Sequence, residues 1–387
     1  MKNNLGVILK NPVLKIGLND TLFSIGSCFS NELAGYLNKN GLDILSNPFG
    51  TVYNSFTIYK IFDVILNKKH FNKEDIFYKN KIYFSLDHSA KFDSDNLGNY
   101  LDKINKNLSN TKECFKKANI FIITLGTSVV YLYKDKITAN CHKLPHNLFS
   151  RKILSFYENV EYLKKSIELI KKNNKKSNII FTVSPVRHTP HDLIENSYSK
   201  SILRISIEEL IDNKTVFYFP AYEIVLDELR DYIHYKKDMI HLRDETVNYI
   251  LSIFIKAYYD NNLKEYINRF NKIKNSLKHK SANPSSKENF KMLIDISGKI
   301  IDLEEVKKNN LIDRQKKILA IRLIDNFSNK KSDIEIILNK FFSKNKKTYN
   351  FFKVILEENY NELVKMSLDD KMLKKCRDRI LLKNLLK

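Results

Sequence analysis

The chain holds 387 residues, of which 43% are apolar, 12% aromatic and 28% charged, a globular composition that excludes the disordered and fibrous classes. Its net charge of +22 comes from 66 Lys and Arg against 44 Asp and Glu, yet only ten of the basic residues are Arg, and none lies in the first 150 positions. A protein built to grip phosphates relies on the bidentate Arg fork, so the excess of Lys, Asn and Ile reads as compositional drift and no nucleic-acid partner is expected.

Met1 to Lys10 lacks the apolar core of a signal peptide, and the longest apolar run, Ile120 to Val130, is broken by Thr124, Gly126 and Ser128 before it could cross a bilayer. A cytoplasmic protein without a transmembrane segment is the expectation. Cys28, Cys114, Cys141 and Cys376 lie far apart with no C-x-x-C pair, which suggests neither a disulfide framework nor a zinc knuckle.

In chain order, Leu22–Ile25, Ile120–Thr124, Ile179–Val183 and Val216–Phe219 read as buried strands. Helical patterns lie between them, including Asn31–Asn38, Val160–Lys172 and Ser199–Ile211. This alternation predicts an α/β fold with a parallel sheet covered on both faces. Residues 1–260 form that domain. Residues 261–286, rich in Lys and Asn and ending in Ser-Ala-Asn-Pro-Ser-Ser, read as a linker. Residues 287–387 read as a helical appendage, with one apolar stripe through Ile334, Ile337, Leu338, Phe341 and Phe342 and another through Phe351, Phe352, Val354, Ile355 and Leu363.

Ligands of such sheets gather beyond the carboxyl ends of the strands, and there the chain places Gly26-Ser27-Cys28, Gly126-Thr127-Ser128, Ser184 to His188 and Pro220 to Glu223. Gly26 permits a tight exit from its strand, and a helix starting near Ser30 or Asn31 would aim its free N–H groups at Ser27 and Cys28. A thiol in that setting ionises readily and becomes a nucleophile. Read the other way, Cys28 is a small buried residue and Ser27 a cap.

Asp238-Met239-Ile240-His241 precedes a helix capped by Asp244 and sets a carboxylate beside an imidazole, a base with its orienter. It reads equally as a surface turn. Asn140 and His142, and Arg187 and His188 with His191, form two further polar clusters. Neither has a carboxylate at metal-ligand spacing, so no metal is expected, and substrate positioning or oxyanion donation is their expected use.

The runs Ile25-Gly26-Ser27-Cys28-Phe29-Ser30, Asn47-Pro48-Phe49-Gly50-Thr51-Val52-Tyr53-Asn54, Thr124-Leu125-Gly126-Thr127, Asn140-Cys141-His142-Lys143-Leu144-Pro145, Thr182 to His188, Asn196 with Ser199-Lys200, Tyr218 to Glu223 and Asp238 to His241 together resemble the GSCFA domain family from about residue 20 to 258. Ser30 replaces the final Ala of the Gly-Ser-Cys-Phe-Ala motif. The resemblance implies the SGNH (GDSL-type) hydrolase superfamily, with its flavodoxin-like three-layer α/β/α fold and its esterases, lipases and carbohydrate acyltransferases. It implies Cys28 as nucleophile, or Ser27 if the loop is shifted by one residue, with His241 as base, Asp238 as orienter and the Gly50 N–H in the oxyanion hole.

The superfamily's Gly-x-Asn-Asp block falls on Gly126-Thr127-Ser128-Val129, where the oxyanion asparagine is absent, leaving Asn54, Asn140 and Ser128 as candidate replacements. The expected function is hydrolysis or transfer of an O-acyl group of a small molecule or glycan. No cofactor is called for, and transfer would admit acyl-CoA as a co-substrate. The alternative is a degenerate scaffold that binds a glycan without turnover.

Overall fold

A computed structural model describes residues 6–7, 9, 12–42, 44–142, 144–188, 192–279, 281–307 and 310–385; His191 and Lys143 lie outside them. The chain divides into two compact units, one of residues 1–39 and 43–264, the other of residues 40–42 and 265–387.

The first unit is built on a five-stranded sheet: β1 (Leu22–Gly26), β2 (Ile44–Ser46), β3 (Ile120–Leu125), β4 (Asn178–Val183) and β5 (Val216–Tyr218). The order is β5-β4-β3-β1-β2, every neighbouring pair is parallel, and the α/β expectation holds. The register sets Gly26 beside Thr124 and Thr124 beside Thr182. The turns after β1, β3 and β4 therefore leave one edge of the sheet, with β1 and β4 about 10 Å apart. β2 was not expected; three residues are too few for a strand period to show.

Alternation along the strands sends Phe23, Ile25, Phe121, Ile123, Ile179 and Phe181 into one core. That core is closed by α2 (Ser55–Asn67), α3 (Leu97–Lys117), α4 (Phe156–Asn173) and α5 (Leu193–Glu208) through Ile58, Phe62, Ile104, Phe115, Leu163 and Leu203. Each fully buried Phe contributes roughly 1.5–3 kcal/mol. On the other face lie α1 (Cys28–Lys39), which packs on β1 and β3, and α6 (Asp244–Tyr258), which packs on α1; together they complete a three-layer α/β/α unit.

Side-chain caps explain where several helices start. The Ser155 hydroxyl and Glu158 carboxylate form a capping box on α4, and Asp192 accepts from the Glu195 N–H to start α5 six residues ahead of its expected beginning at Ser199. Asp244 is the first residue of α6 rather than its cap; Arg243 holds the cap position without a side-chain bond. There Asp244 and Glu245 meet the positive end of the helix dipole.

The stretch read as a linker is a correction. α7 (Asn261–Lys278) is a full helix, and the division between units falls inside it. Leu263, Tyr266, Phe270, Ile273 and Leu277 recur at helical spacing and are buried; the abundance of Lys and Asn around them masked that stripe. The second unit continues with α8 (Lys287–Val306), α9 (Asn310–Asn326), α10 (Lys331–Phe342), α11 (Lys346–Leu356), α12 (Tyr360–Lys365) and α13 (Lys371–Leu385). Both expected apolar stripes are buried there. Among the described residues no helix is long and apolar enough to cross a membrane.

Candidate active site

The turn after β1 is fixed by backbone geometry. Gly26 has φ +137°, and a Cβ there would lie 2.0 Å from the Thr124 carbonyl oxygen, so only glycine fits. The Ser27 N–H donates to that same oxygen at 2.9 Å. Asn47 braces the turn from the side: its Oδ1 accepts from the Gly26 N–H at 2.8 Å and its Nδ2 donates to Asn31 Oδ1 at 2.8 Å.

α1 begins at Cys28 itself, two or three residues earlier than the sequence suggested, which puts the thiol in the first turn among N–H groups that lack intrahelical acceptors. The two nucleophile candidates separate here. Ser27 is 2% exposed and its Oγ is buried without a hydrogen-bond partner. Cys28 is half-buried, and its Sγ lies 3.8 Å from Tyr53 Oη.

The sequence alone assigns Tyr53 no role. Its carbonyl accepts from the Gly126 and Thr127 N–H groups at 2.7 and 3.0 Å, which ties the turn after β3 to it. Loss of surrounding water, and then the charge and hydrogen bond of Cys28, push its phenol above the ordinary tyrosine range.

The expected oxyanion donors are engaged elsewhere. The Gly50 N–H donates to Asn47 O at 2.9 Å, and a Cβ on this residue (φ +113°) would meet Ser89. The Gly126 and Thr127 N–H groups serve Tyr53. The Ser128 N–H donates to Ser199 Oγ at 2.7 Å, and the Ser128 hydroxyl donates to Ser199 O. Asn54 caps α2, accepting from the Thr57 N–H at 2.9 Å while its Nδ2 donates to Val129 O. These residues shape the strand-end loops rather than offering free donors.

Asn140 and His142 bond to each other and to the 85–88 turn. Asn140 Oδ1 accepts from the His142 N–H, and His142 Nε2 donates to the Ser85 and His88 carbonyls, each at 2.8 Å. The imidazole is buried against Phe84, with Asp93 3.6 Å from Nδ1. His88 is a core residue among Phe49, Phe71 and Phe92, and burial pushes its pKa down to about 4.

The Asp238–His241 pair is preformed. Asp238 Oδ2 lies 2.8 Å from His241 Nδ1, and Oδ1 accepts from the Ile240 and His241 N–H groups at 2.9 and 3.0 Å. The His241 N–H first, and then its imidazole, lower the Asp238 pKa to about 2. A carboxylate on Nδ1 assigns the proton to that nitrogen and leaves Nε2 as the acceptor.

Arg187, in the turn after β4, holds this loop: its N–H donates to Ile240 O and its Nη1 to Met239 O at 2.8 Å. The guanidinium lies over Tyr235, 4.2 Å from the ring centre. Together with Val225, Leu226, Arg230 and Tyr232 the two residues line a cavity of about 170 Å³. His188 Nε2 is 3.4 Å from Glu195, which also pairs with Arg151; burial lowers the His188 pKa.

Lys200 likewise has no role legible in the sequence. It is fully buried, donates to Ser184 O and Val186 O at 2.6 and 2.9 Å, and burial lowers its pKa to about 7. Among the described residues no hydrogen bond joins Cys28 to His241, and no group of His, Cys, Asp or Glu is arranged to hold a metal. A larger cavity, about 710 Å³ and lined by Asp313, Arg314, Lys317, Asp370, Lys371, Met372 and Lys375, belongs to the second unit and has no Ser, Thr, Cys or His among the described residues of its lining.

The first unit is thus a doubly wound α/β protein that carries a helix-start cysteine after β1 and an Asp–His pair beyond β5. The chain belongs to the GSCFA family, whose model matches residues 21–254, more than half of its length and the whole of the sheet. No curated protein matches it.

Proposed function

We propose that the first unit is an SGNH-like esterase or acyltransferase that works through a covalent acyl intermediate on Cys28. The observation that carries this reading is the part-exposed Cys28 at the start of α1, on a chain whose Asp238–His241 pair is already formed. The buried Ser27 hydroxyl argues against the alternative nucleophile.

In this reading the Cys28 proton passes to His241 Nε2, and the sulfur attacks the ester carbonyl, forming a C–S bond while the π pair moves to oxygen. Collapse of the adduct breaks the ester C–O bond, and the leaving alcohol takes the proton from His241. Water, or an acceptor hydroxyl, then gives its proton to His241 and attacks the thioester, and the thiol leaves with that proton. Asp238 keeps the imidazole oriented and stabilises its charged form. First-turn N–H groups of α1 supply positive potential at the developing oxyanion. The substrate class is a small-molecule or glycan O-acyl ester.

A second reading, ligand binding without turnover, is favoured by the engagement of the Gly50, Gly126, Thr127 and Ser128 N–H groups. Turnover of p-nitrophenyl acetate and of an O-acetylated oligosaccharide separates the two. Catalysis predicts release that is lost in Cys28→Ala. Binding alone predicts no release from either protein, with oligosaccharide affinity equal in both.

A further inference from the structure

The Gly50, Gly126 and Thr127 N–H groups and the Asn54 amide donate to other partners, so an oxyanion formed at Cys28 needs another donor. Tyr53 Oη is the side-chain donor in contact with the sulfur, 3.8 Å from Sγ. In a tetrahedral adduct the oxyanion sits one carbon away from the sulfur. A donor at this separation therefore falls within reach of the roughly 2.7–3.1 Å hydrogen bond that oxyanion stabilisation needs.

We infer that Tyr53 is a catalytic residue of this site, its hydroxyl donating to the thiolate before attack and to the oxyanion after it. The inference rests on the acyl-enzyme reading and deepens it. The Tyr53 hydroxyl takes over the function of the asparagine absent from Gly126-Thr127-Ser128-Val129.

Three features of the structure fit that use. The Tyr53 backbone is anchored, since its carbonyl accepts two N–H groups from the turn after β3. Its ring is held in place beside Gly126, where an added Cβ would come within 3.1 Å of Cδ1. The glycine thus makes room for the tyrosine rather than donating to the substrate. Its phenol, raised above the ordinary range, stays protonated at neutral pH and remains a donor throughout the cycle. No proton is transferred from it: the hydrogen bond shortens as charge builds on oxygen and relaxes as the alcohol leaves.

The test compares full-length wild type, Tyr53→Phe and, as a control, Tyr157→Phe, whose side chain is 80% exposed. Tyr53→Phe keeps the ring and the backbone carbonyl, so a melting curve matching wild type is expected. The rate of acylation of Cys28 by p-nitrophenyl acetate is followed by intact mass, and labelling of Cys28 by iodoacetamide, which forms no oxyanion at carbon, reports separately on the thiolate. The expected result is acylation about 100-fold slower in Tyr53→Phe, labelling slowed less than about tenfold, and Tyr157→Phe unchanged. Wild-type acylation with an equal rate in Tyr53→Phe overturns the role of Tyr53 and leaves the acyl-enzyme reading standing. No acylation of Cys28 in wild type overturns both.

Discussion

Arg187 holds Met239: its Nη1 donates to the Met239 carbonyl at 2.8 Å, and its own N–H reaches Ile240 one residue on. Met239 sits at φ +56°, a conformation that costs a non-glycine residue free energy unless its surroundings hold it. The turn after β4 thus fixes the strained loop that pairs Asp238 with His241. Arg187→Ala is expected to lower kcat toward p-nitrophenyl acetate about 10- to 100-fold, the range that small misplacements of catalytic groups cost. KM should stay within about threefold, because the Arg187 hydrogen bonds hold the backbone of the Asp238–His241 loop. Steady-state kinetics together with a melting curve check this.

Ser27 and Cys28 give opposite expectations. The Ser27 hydroxyl is buried without a partner, so Ser27→Ala removes an unsatisfied polar group and should shift stability by no more than about 1 kcal/mol, toward greater stability. Activity should be retained. Cys28→Ala should fold equally well and lose turnover. Urea denaturation and an esterase assay on both variants decide.

Gly26→Ala is expected to fail as a folded protein. The new Cβ would meet backbone atoms of Thr124, the nearest at 2.0 Å, at φ +137°, and neither the strand pair nor the dihedral can yield cheaply. A loss of more than about 3 kcal/mol follows. Circular dichroism and the soluble yield of the variant are the measurements.

Lys200 makes stability depend on pH in a defined direction. Burial lowers its pKa from 10.5 to about 7, so between those values the unfolded chain binds a proton that the folded protein does not. Stability therefore rises from about pH 7 to about pH 10.5, by an amount on the order of a few kcal/mol. Below pH 7 the cost of burying the charge is fully present. Buried Tyr258 and Tyr259, whose phenols are pushed up, act the other way above pH 10. The difference between wild type and Lys200→Met removes their contribution. Urea midpoints at pH 6.5, 8 and 9.5 should show the wild type gaining on Lys200→Met as pH rises; a difference between the two that does not change with pH would contradict this.

The legible parts of the sequence were those governed by local pattern. β1, β3, β4 and β5 are apolar runs ended by polar turns, and their parallel pairing follows from the helices between them. The Asp238–His241 contact is local too, three residues on one turn. What stayed hidden depends on partners far along the chain. His142 looked like a site residue beside Asn140, but its contacts are Ser85, His88 and Asp93, some fifty residues earlier. Gly50 was expected to aim its N–H at the oxyanion, but that N–H donates to Asn47 O and the group the glycine accommodates is Ser89. Tyr53 acquires its place over Cys28 only once β3 lies beside β1 and delivers Gly126 to it. Lys200 could have been noticed as the one charged residue on the buried stripe of α5, with Ile202, Leu203 and Ser206.

Intact-mass analysis after incubation with an activated acyl ester tests the central claim most directly, with wild type compared to Cys28→Ala, Ser27→Ala and His241→Ala. The account predicts one acyl adduct on wild type and on Ser27→Ala, its absence in Cys28→Ala, and its slower formation in His241→Ala. An adduct that persists in Cys28→Ala, or none on any folded variant, would contradict it.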